Sequence, residues 1–158
     1  MRWDLIEKFE VLRKNEYAKA HKKFSGKEDF FLEHFTDDAL VPQTLLIEMV
    51  AQAGGVLFGF GLDFKKEVIL AKIRSARFEH VVRPPCALII EARIDEAREE
   101  GAWISGTVQH KDQCVAEVSL LLVTVDTLLD NQTKIVFNDD FIEHFDIYNV
   151  AKASEGKR

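Results

Sequence analysis

The chain has 158 residues, enough for one domain with its own core. Apolar residues make up 47% of it and charged residues 30%, which excludes a disordered or fibrous chain. A net charge of −6 excludes nucleic acid as the main partner, because phosphate contacts need a cationic surface. Cys86 and Cys114 have no metal-ligand or disulfide-framework spacing and are expected as reduced thiols in a cytoplasmic protein. Asp4, Glu7 and Lys8 interrupt the first residues, so no signal peptide is expected there, and no apolar run approaches the ~20 residues of a membrane span.

Residues 6–12 and 17–24 flank Arg13-Lys14-Asn15-Glu16 and predict a first hairpin. Ser25-Gly26-Lys27-Glu28-Asp29 reads as a turn, Phe30-Phe31-Leu32 as an aromatic stretch, and residues 36–41 as a loop leading through Pro42. From about residue 43 to about residue 60, apolar side chains cover every side of a helical wheel. That pattern predicts a helix enclosed on all sides. Pro42 suits its first turn, and Gly54, Gly55, Gly59 and Gly61 permit close backbone approach.

The pattern then changes to strands. Residues 68–73 form a short apolar run, and residues 87–94 alternate, with Leu88, Ile90, Ala92 and Ile94 on one face. Glu99-Glu100-Gly101 turns the chain into a partner strand at 102–109, and Lys111-Asp112-Gln113 turns it into a long β-branched strand at 114–125. One buried helix with several antiparallel strands predicts an α+β architecture, a curved sheet wrapped around the helix, which is the hot-dog arrangement. Residues 1–125 are expected to form this domain. Residues 126–158 read as an extension with no place in the sheet, frayed from residue 151 onward. Twelve Phe suit a wide apolar interior or an acyl pocket.

Between Leu45 and Phe60 the helix holds two strongly polar side chains, Glu48 and Gln52, four apart and on one face. A carboxylate enclosed by apolar neighbours is costly to ionise, and a carboxyl group kept partly protonated near neutrality can serve as a general acid. The plainer alternative is a Glu48 that faces a solvent seam or is held by Gln52 and backbone amides. His34 precedes the helix entry, where free amides stabilise negative charge such as a thioester enolate oxygen.

The run His34-Phe35, then Pro42, then Leu45-Leu46-Ile47-Glu48-Met49-Val50-Ala51-Gln52-Ala53-Gly54-Gly55 resembles the signature of bacterial 3-hydroxyacyl-[acyl-carrier-protein] dehydratases. Ala76-Arg77-Phe78 and Val81-Val82-Arg83-Pro84 also match, so the resemblance runs from about residue 6 to about residue 125. It implies that His34 and Glu48 are the catalytic pair and that Phe35, Pro42, Gln43 and Gln52 bind substrate. The implied reaction is elimination of water from a 3-hydroxyacyl thioester, without metal or redox cofactor. The substrate would be carried on the phosphopantetheine of acyl carrier protein or on coenzyme A. The resemblance further implies a homodimer or trimer of dimers whose sites draw the histidine and the carboxylate from different subunits.

Departures from the family pattern are Thr36-Asp37, in place of proline and glycine, and Gln43, in place of a glycine whose amide binds the thioester carbonyl. Asp37 and Asp38 add negative charge that would raise the pKa of His34. Lys72, Arg74, Arg77 and Arg83 belong to a locally basic stretch suited to an acidic carrier protein, or are ordinary solvated edge charges. A thioesterase using Glu48 to activate water and a non-catalytic acyl-binding subunit are the competing readings.

Overall fold

The computed structural model describes residues 5–34, 38–125 and 136–156. Six strands form one antiparallel sheet, β1 (Lys8–Arg13), β2 (Tyr17–Phe24), β3 (Glu67–Phe78), β4 (Cys86–Arg98), β5 (Gly101–His110) and β6 (Gln113–Val125). Their order across the sheet is β1-β2-β4-β5-β6-β3, with every neighbouring pair antiparallel. The long central helix expected from the apolar run is α2 (Gln43–Gly61), and it packs against β2, β3, β4, β5 and β6. This is the hot-dog fold.

The strand alternation sets which face meets the helix. Leu88, Ile90 and Ala92 of β4, Ala102, Ile104 and Val108 of β5, and Val118, Leu120 and Leu122 of β6 are all buried. Ile94 is half-buried, where β4 runs out past the core. Register shifts between Phe9 and Val11, Leu70 and Lys72, Ile73 and Ser75, and Ile94 and Glu96 bend the strands so that the sheet curls round the helix. Two glycines let neighbouring side chains press onto the backbone of α2. A Cβ on Gly54 would lie 2.8 Å from Ile104 Cγ2, and one on Gly59 would lie 2.8 Å from the ring of Phe137. By length and composition α2 could cross a membrane, but the sheet takes the place that lipid would have and buries it.

Three local features differ from expectation. Phe30 and Phe31 belong to a short helix, α1 (Asp29–His34), with Phe31 stacked edge-on against Phe24 at 5.7 Å. The third strand runs on past residue 73 to Phe78, because β6 pairs with it along its length and compensates for its polar second half. The chain end is not frayed at residues 151–154. It forms α3 (Asp139–His144) and α4 (Ile147–Ser154), and α4 lies along β1 with Ile147 fully buried. Ser154 Oγ accepts a hydrogen bond from the Leu12 amide at 3.0 Å, and Phe145 packs edge-on against Phe9 at 5.5 Å.

Candidate active site on the central helix

The expected enclosure of α2 holds along most of its length but fails at its entry. Residues 49–60 are buried, whereas Gln43 and Thr44 are exposed and Leu45, Ile47 and Glu48 are half-buried. Pro42 occupies the N-cap with φ −58° and ψ 136° and no side-chain capping bond. Leu45 N turns back to Pro42 O at 3.0 Å, which leaves the amides of Gln43 and Thr44 pointing out of the helix, where a developing negative charge would be stabilised.

Glu48 sits at the rim of a cleft of about 290 Å³. One wall is a single face of α2, made by Glu48, Ala51, Gln52, Gly55 and Val56. The opposite wall is Val68, Ile69 and Leu70 of β3 with Leu122 of β6. Val136, Phe137 and Phe141 complete it from the C-terminal segment. Gln52 Nε2 donates to Glu48 Oε1 at 3.1 Å. Gln52 is 8% exposed, and its Oε1 has no hydrogen-bond partner among the described residues. A buried carbonyl in that condition is unfavourable unless something supplies a donor. The cleft thus presents one carboxyl group, backed by a buried amide whose oxygen is unpaired, in an otherwise apolar lining.

The approach to α2 is fixed by two contacts. Val41 N donates to Val82 O at 2.8 Å, and Arg83 grips Asp38 through two hydrogen bonds, Nε to Oδ1 at 2.8 Å and Nη2 to Oδ2 at 2.7 Å. The guanidinium holds the Asp38 carboxyl below the ordinary carboxylate range, and Asp38 in turn raises Arg83. Asp38, expected to add negative charge near His34, thus has that charge paired with Arg83. The same contact makes Arg83 an anchor of this loop. His34 is the last residue of α1, and its side chain, together with Phe35, Thr36 and Asp37, lies outside the described residues.

The remaining basic residues lie along β3. Lys72 is exposed, Arg74 covers the ring of Trp103 at 3.6 Å, and Arg77 pairs with Glu117 at 3.3 Å. Glu67 was missed from the sequence. It is 5% exposed, and its Oε1 accepts from the amides of Val136 at 3.2 Å and Phe137 at 3.3 Å. A lone Glu ahead of an apolar strand carries no signal of partners some seventy residues away. A wider depression, about 710 Å³, lies on the outer face of the sheet, among Ser105, Thr107, Gln109, Glu91 and Arg93. Arg77 is on its rim, but it holds none of His34, Phe35, Pro42, Gln43, Glu48 or Gln52.

Comparison with known proteins places the chain in a family. Residues 4–119 match the sequence profile of the FabA-like domain. The 3-hydroxyacyl-[acyl-carrier-protein] dehydratase FabZ of Ligilactobacillus salivarius is 33% identical over 122 residues, 75% of this chain and 86% of that protein. The enzyme of the same name from Campylobacter lari is 33% identical over 77% of this chain and 87% of that protein. Among solved structures, the dehydratase heterocomplex ApeI:P from Xenorhabdus doucetiae superposes with a TM-score of 0.65 at 19% identity, over 78% of this chain and 84% of that chain. A hypothetical thioesterase with coenzyme A from Streptococcus pneumoniae superposes with a TM-score of 0.59 at 11% identity, over 75% of this chain and 84% of that chain, which shows a shared fold alone. The chain belongs to the FabA-like family, with FabZ-type dehydratases among its relatives.

Proposed function

We propose that this protein is a 3-hydroxyacyl-[acyl-carrier-protein] dehydratase, converting a 3-hydroxyacyl thioester to a trans-2-enoyl thioester in a cytoplasmic pathway of acyl-chain synthesis. The observation that carries the reading is the Glu48–Gln52 pair at the mouth of an apolar cleft, on the helix that follows His34 at the family's spacing. Neutral His34 takes the proton from C2, next to the thioester carbonyl. The electrons collect on the carbonyl oxygen, which the amides at Gln43 and its neighbours stabilise. As the C2–C3 double bond forms, Glu48 protonates the departing C3 hydroxyl, which leaves as water. Gln52 orients Glu48 through its Nε2, and its unpaired Oε1 accepts from the substrate hydroxyl or from the water released. The reaction needs no redox cofactor, because the carbon chain undergoes no net oxidation.

The active unit in this reading is a homodimer formed along β3. That strand is the open edge of the sheet, and Ile69, Leu70 and Ile73 on it are 49%, 37% and 44% exposed. Large apolar side chains on an unpaired edge are an invitation to association. A second copy there would cover the flank of the cleft and bring its own His34 loop to Glu48.

The test is Glu48→Gln, assayed by mass spectrometry on 3-hydroxyacyl thioesters. General acid–base groups contribute about 10²–10⁴-fold, so the variant is expected to lose that much dehydration while melting as the wild type does. Release of free 3-hydroxy acid with no loss of water from the wild type would replace this reading with a thioesterase.

A further inference from the structure

We propose that Phe137 and Phe141, which lie beyond the FabA-like domain, end the acyl site and restrict the enzyme to short acyl chains. The inference rests on the dehydratase reading of the cleft and adds its substrate class. The profile match stops at residue 119, yet the cleft beside Glu48 is completed by side chains from residues 136–141. An acyl thioester with its reacting carbons at Glu48 and Gln52 must send its tail along Val56 toward these rings.

Beyond Phe141 there is no room. The space on its far side, lined by Ile6, Phe9, Gln52, Val56, Phe141 and Phe145, is about 10 Å³, at most what a single water molecule needs. Phe141 is therefore the partition between the cleft and closed core. The cleft itself, at about 290 Å³, lies at the small end of ligand sites, which run from roughly 300 to 1,000 Å³.

The partition is held in place. Phe137 lies over Gly59, where even a Cβ would collide with its ring, and packs against Phe64 at 5.1 Å. Its amide is bound by the buried carboxylate of Glu67. Phe141 packs against Phe137 at 5.5 Å and Phe145 at 4.9 Å, and its amide donates to the Asn138 side chain at 2.9 Å, which starts α3. Such a wall is a fixed stop rather than a swinging gate.

The experiment measures dissociation constants of butyryl-, octanoyl- and dodecanoyl-pantetheine for wild type, Phe141→Ala and Phe141→Leu by calorimetry. Dehydration of the matching 3-hydroxyacyl thioesters is followed in parallel. Each methylene that gains a buried place is worth roughly fourfold in affinity. Wild type is expected to gain nothing from butyryl to dodecanoyl. In Phe141→Ala the ratio of butyryl to dodecanoyl dissociation constants is expected to rise at least about tenfold, with a smaller rise in Phe141→Leu. Should Phe141→Ala fail to fold, Phe141→Leu carries the comparison. A wild type that already favours dodecanoyl, variants with an unchanged ratio, or no binding of any thioester would each overturn the inference. Binding with the expected length profile but no loss of water would instead overturn the dehydratase reading and leave the length limit standing.

Discussion

The sheet has two edges, and the protein treats them differently. At the β1 edge, α4 lies along the strand, Ser154 Oγ takes the outward Leu12 amide, and Phe145 covers Phe9. At the β3 edge nothing in the chain covers the strand among the described residues, and isoleucines at 69 and 73 stand about half exposed. A free edge is a template for pairing, so covering one and leaving the other apolar directs association to a single side. The cover on β1 comes from sequence beyond the FabA-like domain, and the open edge borders the cleft. The C-terminal segment therefore has two jobs, closing one edge of the sheet and closing one end of the site.

The largest expected effect comes from breaking the open edge. Ala71→Asp combined with Ile73→Asp places charge on exposed positions outside the cleft wall, where the isolated fold loses little. The pair should give a monomer by light scattering at micromolar concentration. Turnover should fall by about 10²–10⁴-fold, because each Glu48 would lose the partner's base. A dimer that persists in this variant would remove the shared-site arrangement.

A smaller effect separates the two jobs of the C-terminal segment. Glu67→Ala leaves the half-buried Val136 amide and the buried Phe137 amide without their acceptor, at about 1–3 kcal/mol for a group that stays buried. Local release of the segment offers a cheaper escape, so hydrogen exchange at these amides should speed up more than the melting temperature falls. The Leu12 amide should keep its protection. Loss of protection at Leu12 as well would show that the segment opens as one unit.

At the covered edge, Ser154→Ala removes the acceptor of the Leu12 amide and should cost about 1–3 kcal/mol. For a chain of this length that is a fall of roughly 2–4 °C in Tm per kcal/mol. A greater tendency to aggregate on storage, measured by static scattering, would show that α4 guards β1.

The smallest effect concerns the loop leading into α2. Arg83 holds the Asp38 carboxyl below its ordinary value, so the pair contributes fully above the unfolded pKa of about 4 and its contribution disappears as pH falls through the lower folded value. Asp38→Asn should therefore alter stability slightly at neutral pH and flatten the acid limb of the melting curve. Both side chains are exposed, so the change is small. An acid limb identical to the wild type's would show that the pair does not anchor the loop.

Much of this protein is readable in its sequence, because its main elements are held by patterns that repeat over short distances. Alternation in β4, β5 and β6 and the apolar run of α2 each declare which side chains must leave water. Glu48 and Gln52 stand out as the polar residues of that helix, and four-residue spacing alone puts them on one face. Tertiary structure decided what depends on partners far along the chain. Glu67 gains its role from amides at 136 and 137, Phe137 gains its seat from Gly59, and Asp38 loses its free charge to Arg83. The end of the chain looked frayed because α4 is short and of mixed polarity, too weak to stand alone. Its stability comes from burying Ile147 and from Ser154 meeting an edge amide of β1, neither of which has a periodic trace in sequence. Local periodicity specifies which surfaces are buried, while the closing of an edge and the length of a cleft follow from where the folded chain brings those surfaces together.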